Sequence, residues 1–213
     1  MNKIPFFPNT IDDRHCVQAC LCMALKYFFP KKIFTYAELN MITGHLKGYG
    51  TSMSLVLDLL EKQGLEVVNL ENFNYSRFAG EGEKYCAEIW SPETLEGQKQ
   101  LTDLAHEQRL AKVLLKNKDV KLIYKVCTIE DVIEYNKKGY ILMVAVNPHA
   151  LRKEEGYWSH LVVVTEVSKT EVTFHEPGLP PVPNRKVTPE IFAVAMTPPR
   201  LENTGVVAVR FKQ

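Results

Sequence analysis

Asp13-Arg14-His15-Cys16-Val17-Gln18-Ala19-Cys20-Leu21-Cys22-Met23-Ala24-Leu25 is the segment from which the fold of this 213-residue chain is read. Asp12 and Asp13 precede the first cysteine, and an apolar run follows it to Phe29, just before Pro30. Short acidic residues suit the positive end of a helix, and proline cannot continue one. The pattern therefore predicts a buried helix, Cys16 to Phe29, with a thiol in its first turn. Far downstream, Trp158-Ser159-His160-Leu161-Val162-Val163-Val164 sets a histidine at the head of a β-branched strand. A following strand runs into His175-Glu176-Pro177-Gly178. A thiol on a helix start, an imidazole on a strand start and a carboxylate on the next strand end all have rigid supports from which to converge.

Composition sets the outer limits. With 46% hydrophobic and 24% charged residues the chain has the apolar mass for a real core. Twenty-six basic residues against 25 acidic ones leave a formal charge of +1, which argues against a dedicated nucleic-acid binder. The locally basic stretch Lys112 to Lys125 reads as a solvated helix face running into a strand. Met1 to Thr10 is interrupted by Pro5 and Pro8, and no stretch reaches the roughly 18 apolar residues that span a bilayer. A cytoplasmic protein without a membrane segment is the expectation. Five cysteines, three of them between positions 16 and 22, suit reduced thiols better than a disulfide scaffold.

Along the chain, Tyr36 to Ile42 reads as a short helix ending near Gly44. Thr51 or Ser52 is placed to cap a helix running through Gln63, with Met53, Leu55, Val56, Leu59 and Leu60 at helical spacing. Leu65 to Leu70 is a strand. Residues Pro92 to Asn117 are polar and helix-prone and read as a helical lobe or insertion. Strands are expected at Val120 to Val126, Tyr140 to Val146, Leu161 to Val167, Val172 to His175 and Val206 to Phe211. Short helices are expected after the caps Thr128 and Thr188, and Pro177 to Pro183 is a surface connection. Helices first and antiparallel-looking strands afterwards give an α+β fold, with no linker that divides residues 1–213 into two domains.

The chemistry of the three residues follows from their types. A thiol is nucleophilic only as thiolate, which a helix N-terminus and an imidazolium both favour. His160 would take the proton of Cys16 and return it to a leaving group, while Glu176 would hold the imidazole from the neighbouring strand. Each residue also has a plainer reading: Cys16 as a small core side chain, His160 as a partner for a backbone carbonyl, Glu176 as a turn residue. Zinc held by Cys16, Cys20 and Cys22 with His15, His160 or His175 is a competing reading. The helical spacing turns Cys22 away from the other two and argues against it, so neither metal nor cofactor is expected. Trp158 is a candidate cleft wall, Tyr49 and Gly50 candidate cleft borders, and His149 and His45 loop histidines.

Cys16-Val17-Gln18-Ala19-Cys20-Leu21-Cys22-Met23 resembles the nucleophile helix of the peptidase C39 family and its C39-like relatives, whose motif reads roughly Asp-Cys-Gly-x-Ala-x-x-Met. Ser159-His160-Leu161-Val162-Val163-Val164 resembles their Gly-His-hydrophobic-Val-Val strand, Glu176-Pro177 falls where they carry Asp-Pro, and Gly50-Thr51-Ser52 resembles the start of their second-helix segment. The resemblance covers the first seventy or so residues and Tyr140 to Phe192, but not the middle. It implies a papain-like fold, an N-terminal nucleophile helix packed on an antiparallel sheet, and a cysteine peptidase cleaving peptide or amide bonds of a peptide or protein substrate through a thioester. The departures are His15 for Asp, Val17 for Gly, Glu176 for Asp, and Thr10 where the family carries a Gln that donates to the oxyanion. Asn9 and Thr10 are the remaining candidates for that donor. Two alternatives stand beside the peptidase: a catalytically impaired binding module that keeps the cleft, and an acyl or γ-glutamyl transferase sharing the thioester step. Substrate and oligomeric state are not legible.

Overall fold

The computed structural model describes residues 3–196 and 204–212. Helices α1 (Cys16–Phe28), α2 (Tyr36–Thr43) and α3 (Ser54–Lys62) lead into strand β1 (Leu65–Glu71). Then come α4 (Tyr75–Glu81), α5 (Glu83–Ile89), α6 (Pro92–Leu101), α7 (Leu104–Leu114), β2 (Val120–Tyr124) and α8 (Ile129–Lys137). The remainder is β3 (Ile141–Val146), α9 (Pro148–Arg152), β4 (His160–Val167), β5 (Val172–Glu176), β6 (Val182–Val187), α10 (Pro189–Met196) and β7 (Gly205–Phe211). The architecture is α+β. Among the described residues no helix is long and apolar enough to cross a membrane.

Local chemistry explains where most elements begin. Thr35 and Glu38 form a capping box on α2, which ends at Gly44 in the left-handed region, φ 70°. Asp103 accepts from the His106 N–H at 2.9 Å and starts α7. The start of α3 differs from expectation. It lies at Ser54 with no side-chain cap, because the two hydroxyls expected there serve other helices. Thr51 Oγ1 accepts from Gln18 Nε2 of α1 at 2.8 Å, and the Ser52 hydroxyl donates to Glu107 of α7.

The seven strands form one sheet in the order β2-β1-β7-β3-β4-β5-β6. All neighbours run antiparallel except β1 and β2, which are parallel. A parallel pair needs a long crossover, and α4 to α7 supply it. Both faces of the sheet are covered. Ile141, Met143, Leu161, Val163, Val207 and Val209 pack into the core that contains α1 and α3. Their neighbours Leu142, Val144, Val162, Val164, Val206 and Ala208 join a second core with Val132 of α8 and Phe192 of α10. Double-sided burial is why β4 reads as unbroken valines rather than as an alternation. Each buried Val or Leu contributes roughly 1.5–3 kcal/mol.

Pro92 to Asn117 is helical as read, divided into α6 and α7 by Thr102 and Asp103. All five lysines of the basic stretch are exposed. The second strand stops at Tyr124 rather than Val126, and the proline-rich connection contains the start of β6.

Candidate active site

Cys16 is the first residue of α1, and α1 has no side-chain cap: the His15 carbonyl accepts from the Ala19 N–H at 2.9 Å, but its imidazole does not bond back to the helix. Its unclaimed N–H groups are therefore left facing the thiol, and backbone hydrogen bonds from Cys16, Val17 and Leu161 favour the thiolate. Burial of the sulfur outweighs them and, with the charge of Asp13, pushes the thiol above its ordinary range. One turn along, the Cys20 thiol donates to the Leu161 carbonyl at 3.3 Å. A single residue of β4 thus touches both cysteines and fixes α1 against the strand that carries His160.

His160 opens β4 and is only 5% exposed. Burial, with the positive charge of Arg152 adding to it, lowers its pKa to about 4. The imidazole is neutral at pH 7, and its Nε2 is buried without a hydrogen-bond partner. Gly178 lies against the ring: a side-chain carbon there would stand 3.1 Å from Nε2 and 3.7 Å from Glu176 Oε1. A side chain at this position would press on the imidazole unless the ring gave way by a few tenths of an ångström.

Glu176 ends β5 on the same side of Gly178 but is not bonded to His160. Its Oε2 is held by the Arg185 guanidinium of β6, whose second nitrogen donates to the Leu151 carbonyl at 2.7 Å. Cys16 Sγ likewise has no hydrogen bond to the imidazole; its recorded bonds are to backbone. The structure brings Cys16, His160 and Glu176 into one region without joining them in a hydrogen-bonded relay.

The residues ahead of α1 form a tight strap. The Asn9 carbonyl Oδ1 accepts from the Thr10 and His15 N–H groups, each at 2.8 Å, and its Nδ2 donates to Asp13 at 2.6 Å. The Thr10 hydroxyl is engaged with Asp12 and with His15 Nδ1, both at 2.6 Å. Neither Asn9 nor Thr10 lines the cavity at Cys16. Asp13 does, held in the left-handed region at φ 55°, a strained conformation for a non-glycine residue. Burial raises its carboxyl pKa. The strap is tied to the far end of the site as well, with the Asn9 N–H donating to the Pro177 carbonyl at 2.7 Å and His175 Nε2 3.0 Å from the Ile4 carbonyl.

Cys16 and His160 line a cavity of about 320 Å³ that extends away from them between β1, α4 and α7. Trp158 and Gly50 form parts of its wall, and the Arg14 guanidinium lies 5.9 Å from the Trp158 ring centroid. Tyr49 is not part of it. A second cavity of similar volume lies on the Nε2 side of His160, among His149, Arg152, Glu176 and Gly178. His149 sits in the short helix α9 and pairs with Glu154 at 3.4 Å. The His45 ring is tilted against that of His15, centroids 4.9 Å apart, and its Nδ1 meets Thr51 Oγ1 at 3.0 Å.

The sequence gives no sign of Glu71 and Glu107, which also line the first cavity. Nothing local marks them, since one ends a strand and the other sits inside a helix. All five cysteines are free thiols. Among the described residues no group of three or more His, Cys, Asp or Glu side chains is disposed around a metal position.

No family model matches the sequence, and no curated protein matches it. Solved structures do. The peptidase domain of Streptococcus ComA, a bifunctional ABC transporter of a quorum-sensing pathway, superposes with a TM-score of 0.52 at 14% identity, covering 97% of this chain and 98% of that domain. A Bacillus anthracis protein described as a C39-like peptidase superposes at 0.53 and 15% identity, covering 99% of this chain and 96% of its own. The chain has the fold of C39-like peptidase domains over nearly its whole length.

Proposed function

We infer that this protein is a cysteine peptidase-type hydrolase acting on peptide or amide bonds, with Cys16 as nucleophile, His160 as general base and acid, and Glu176 as the carboxylate on the Nε2 side of the ring. The observation that carries the reading is that the first residue of α1 and the first residue of β4, a thiol and an imidazole, line the same cavity. The fold shared with C39-like peptidases supports it. Residues 1–213 are read as one papain-like domain with 92–117 as a helical insertion.

The resting groups are a neutral thiol and a neutral imidazole, since burial disfavours the charged form of each. The proton therefore moves from Cys16 to His160 as the thiolate attacks the substrate carbonyl, not before. The N–H of Cys16 faces the developing oxyanion, and His160 then protonates the departing amine. Water, deprotonated by the same imidazole, hydrolyses the thioester; an amine or thiol in place of that water gives the transferase reaction. Glu176 serves once it exchanges Arg185 for the imidazole. The hold of Arg185 on Glu176 favours a second reading, a binding module whose relay is locked apart.

Turnover of a fluorogenic peptide library, with intact-mass detection of the acyl-enzyme after acid quench, separates the two. Hydrolysis that falls at least about 10³-fold in both Cys16→Ala and His160→Ala supports the peptidase. Peptides that bind without any turnover leave the binding module. Cys20→Ala and Cys22→Ala are expected to affect packing only, because both thiols point into core and donate to backbone carbonyls.

A further inference from the structure

Glu71 of β1 and Glu107 of α7 both line the cavity, and among the described residues their side-chain hydrogen bonds are to neutral groups. Tyr75 Oη at 2.7 Å and Asn69 Nδ2 at 3.1 Å both bond to Glu71 Oε2. The Ser52 hydroxyl bonds to Glu107 Oε2. Neither carboxylate has a salt bridge among the described residues, although Glu107 is 8% exposed.

Burial disfavours the charged carboxylate and raises the pKa of both groups, against the smaller opposing effects of the Tyr75 and Asn69 hydrogen bonds on Glu71 and of the Ser52 hydrogen bond and nearby His106 on Glu107. The other walls suit a cation with an alkyl stem. Phe73 packs edge-on to Tyr75 at 5.3 Å and to Phe78 at 5.1 Å, and lies nearly parallel to Trp90 at 6.3 Å. Phe73, Tyr75, Phe78 and Trp90 all line the cavity. Aromatic faces attract ammonium and guanidinium groups while covering methylenes. Among the described residues Arg14 is the only lysine or arginine in the lining, and it is over Trp158 rather than paired with either glutamate. His160 and Cys16 line the same cavity, so the chamber that carries the two carboxylates opens beside the thiol. Its volume of about 320 Å³ lies at the small end of the roughly 300–1,000 Å³ typical of ligand pockets, enough for one side chain and too small for a folded partner.

We propose that this chamber is a specificity pocket for a cationic side chain, a lysine or arginine of the peptide substrate, whose charge is received between Glu71 and Glu107 while the adjoining peptide group reaches Cys16. The proposal rests on the peptidase reading for its orientation toward the thiol, but its test does not need the thiol. In the Cys16→Ala protein, calorimetric titration compares Nα-acetyl-lysine methylamide with Nα-acetyl-norleucine methylamide, which exchanges the ammonium for a methyl group on a similar stem. The lysine probe is expected to bind at least tenfold more tightly. Glu71→Gln and Glu107→Gln, nearly isosteric and checked for folding by thermal melts, are each expected to cut that ratio threefold or more. Norleucine binding equally well, no measurable lysine binding, or a ratio that survives both substitutions overturns the pocket. Failure of the peptidase reading shows up separately, as undiminished or absent turnover in the wild-type comparison with Cys16→Ala.

Discussion

Carboxylates flank the site on two sides, and the fold treats them in opposite ways. On the strand side, Glu176 is 3% exposed and is met by Arg185, which is itself anchored to the Leu151 carbonyl. On the helical side, among the described residues, the hydrogen bonds to the Glu71 and Glu107 side chains come from hydroxyls and an amide. The first charge is balanced inside the chain, so its geometry is set before any ligand arrives. The second pair is left for something outside the chain to balance. Substitutions on the strand side should therefore register as stability, and those on the helical side as affinity.

The sharpest way to break this contrast is Arg185→Met. Leaving Glu176 buried without a partner should cost about 3 kcal/mol in urea unfolding, with most of it recovered in the double variant Arg185→Met/Glu176→Leu. A neutral single variant would show that the strand side is no better balanced than the helical side. The same variant frees Glu176 to approach His160, so the imidazole titration followed by NMR should move upward from about 4.

Acid comes next in size. Folded His160 stays neutral down to about pH 4, whereas in the unfolded chain it takes up a proton near 6.5. Its contribution is intact above 6.5 and is lost as pH falls toward 4, roughly 3 kcal/mol in all. Unfolding at pH 7 and 4.5 measures it, and His160→Leu should flatten that part of the profile. Asn9→Ala removes the acceptor of two backbone N–H groups and the donor to Asp13, which lies at the boundary of the two cavities. A loss of about 1–2 kcal/mol is expected. The smallest change is expected for Glu71→Gln in the absence of ligand, within about 1 kcal/mol and of either sign, because it removes an unbalanced charge and keeps the side-chain volume.

What could be read beforehand follows the same division. Helix α1 and strand β4 announce themselves through long apolar runs that end at Pro30 and begin at His160, and Cys16 and His160 come with them. The pairing of Glu176 with Arg185 was hidden because β6 lies in a proline-rich stretch that reads as a loop, so its partner on the next strand had no address. Helices α4 and α5 carry too few apolar residues at regular spacing to be seen, and with them went the aromatic wall of the cavity. Glu71 and Glu107 share a cavity because α7 packs on α3 and α4, a tertiary fact with no local mark. Thr51 and Ser52 misled for a related reason: their hydroxyls satisfy groups on α1 and α7 rather than the backbone of the helix they precede.

The strap from Ile4 to Asp13 reaches partners at His175 and Pro177, so segments up to 171 residues apart in sequence close the site together. Joining ends so far apart is slow and has an entropic cost that shorter contacts do not. A nascent chain that has made α1 but not yet β4 and β5 holds Cys16 without His160 or Glu176 near it. On the proposed reading such a fragment is chemically mute, and the order of synthesis keeps Cys16 unarmed until β4 and β5 have followed it.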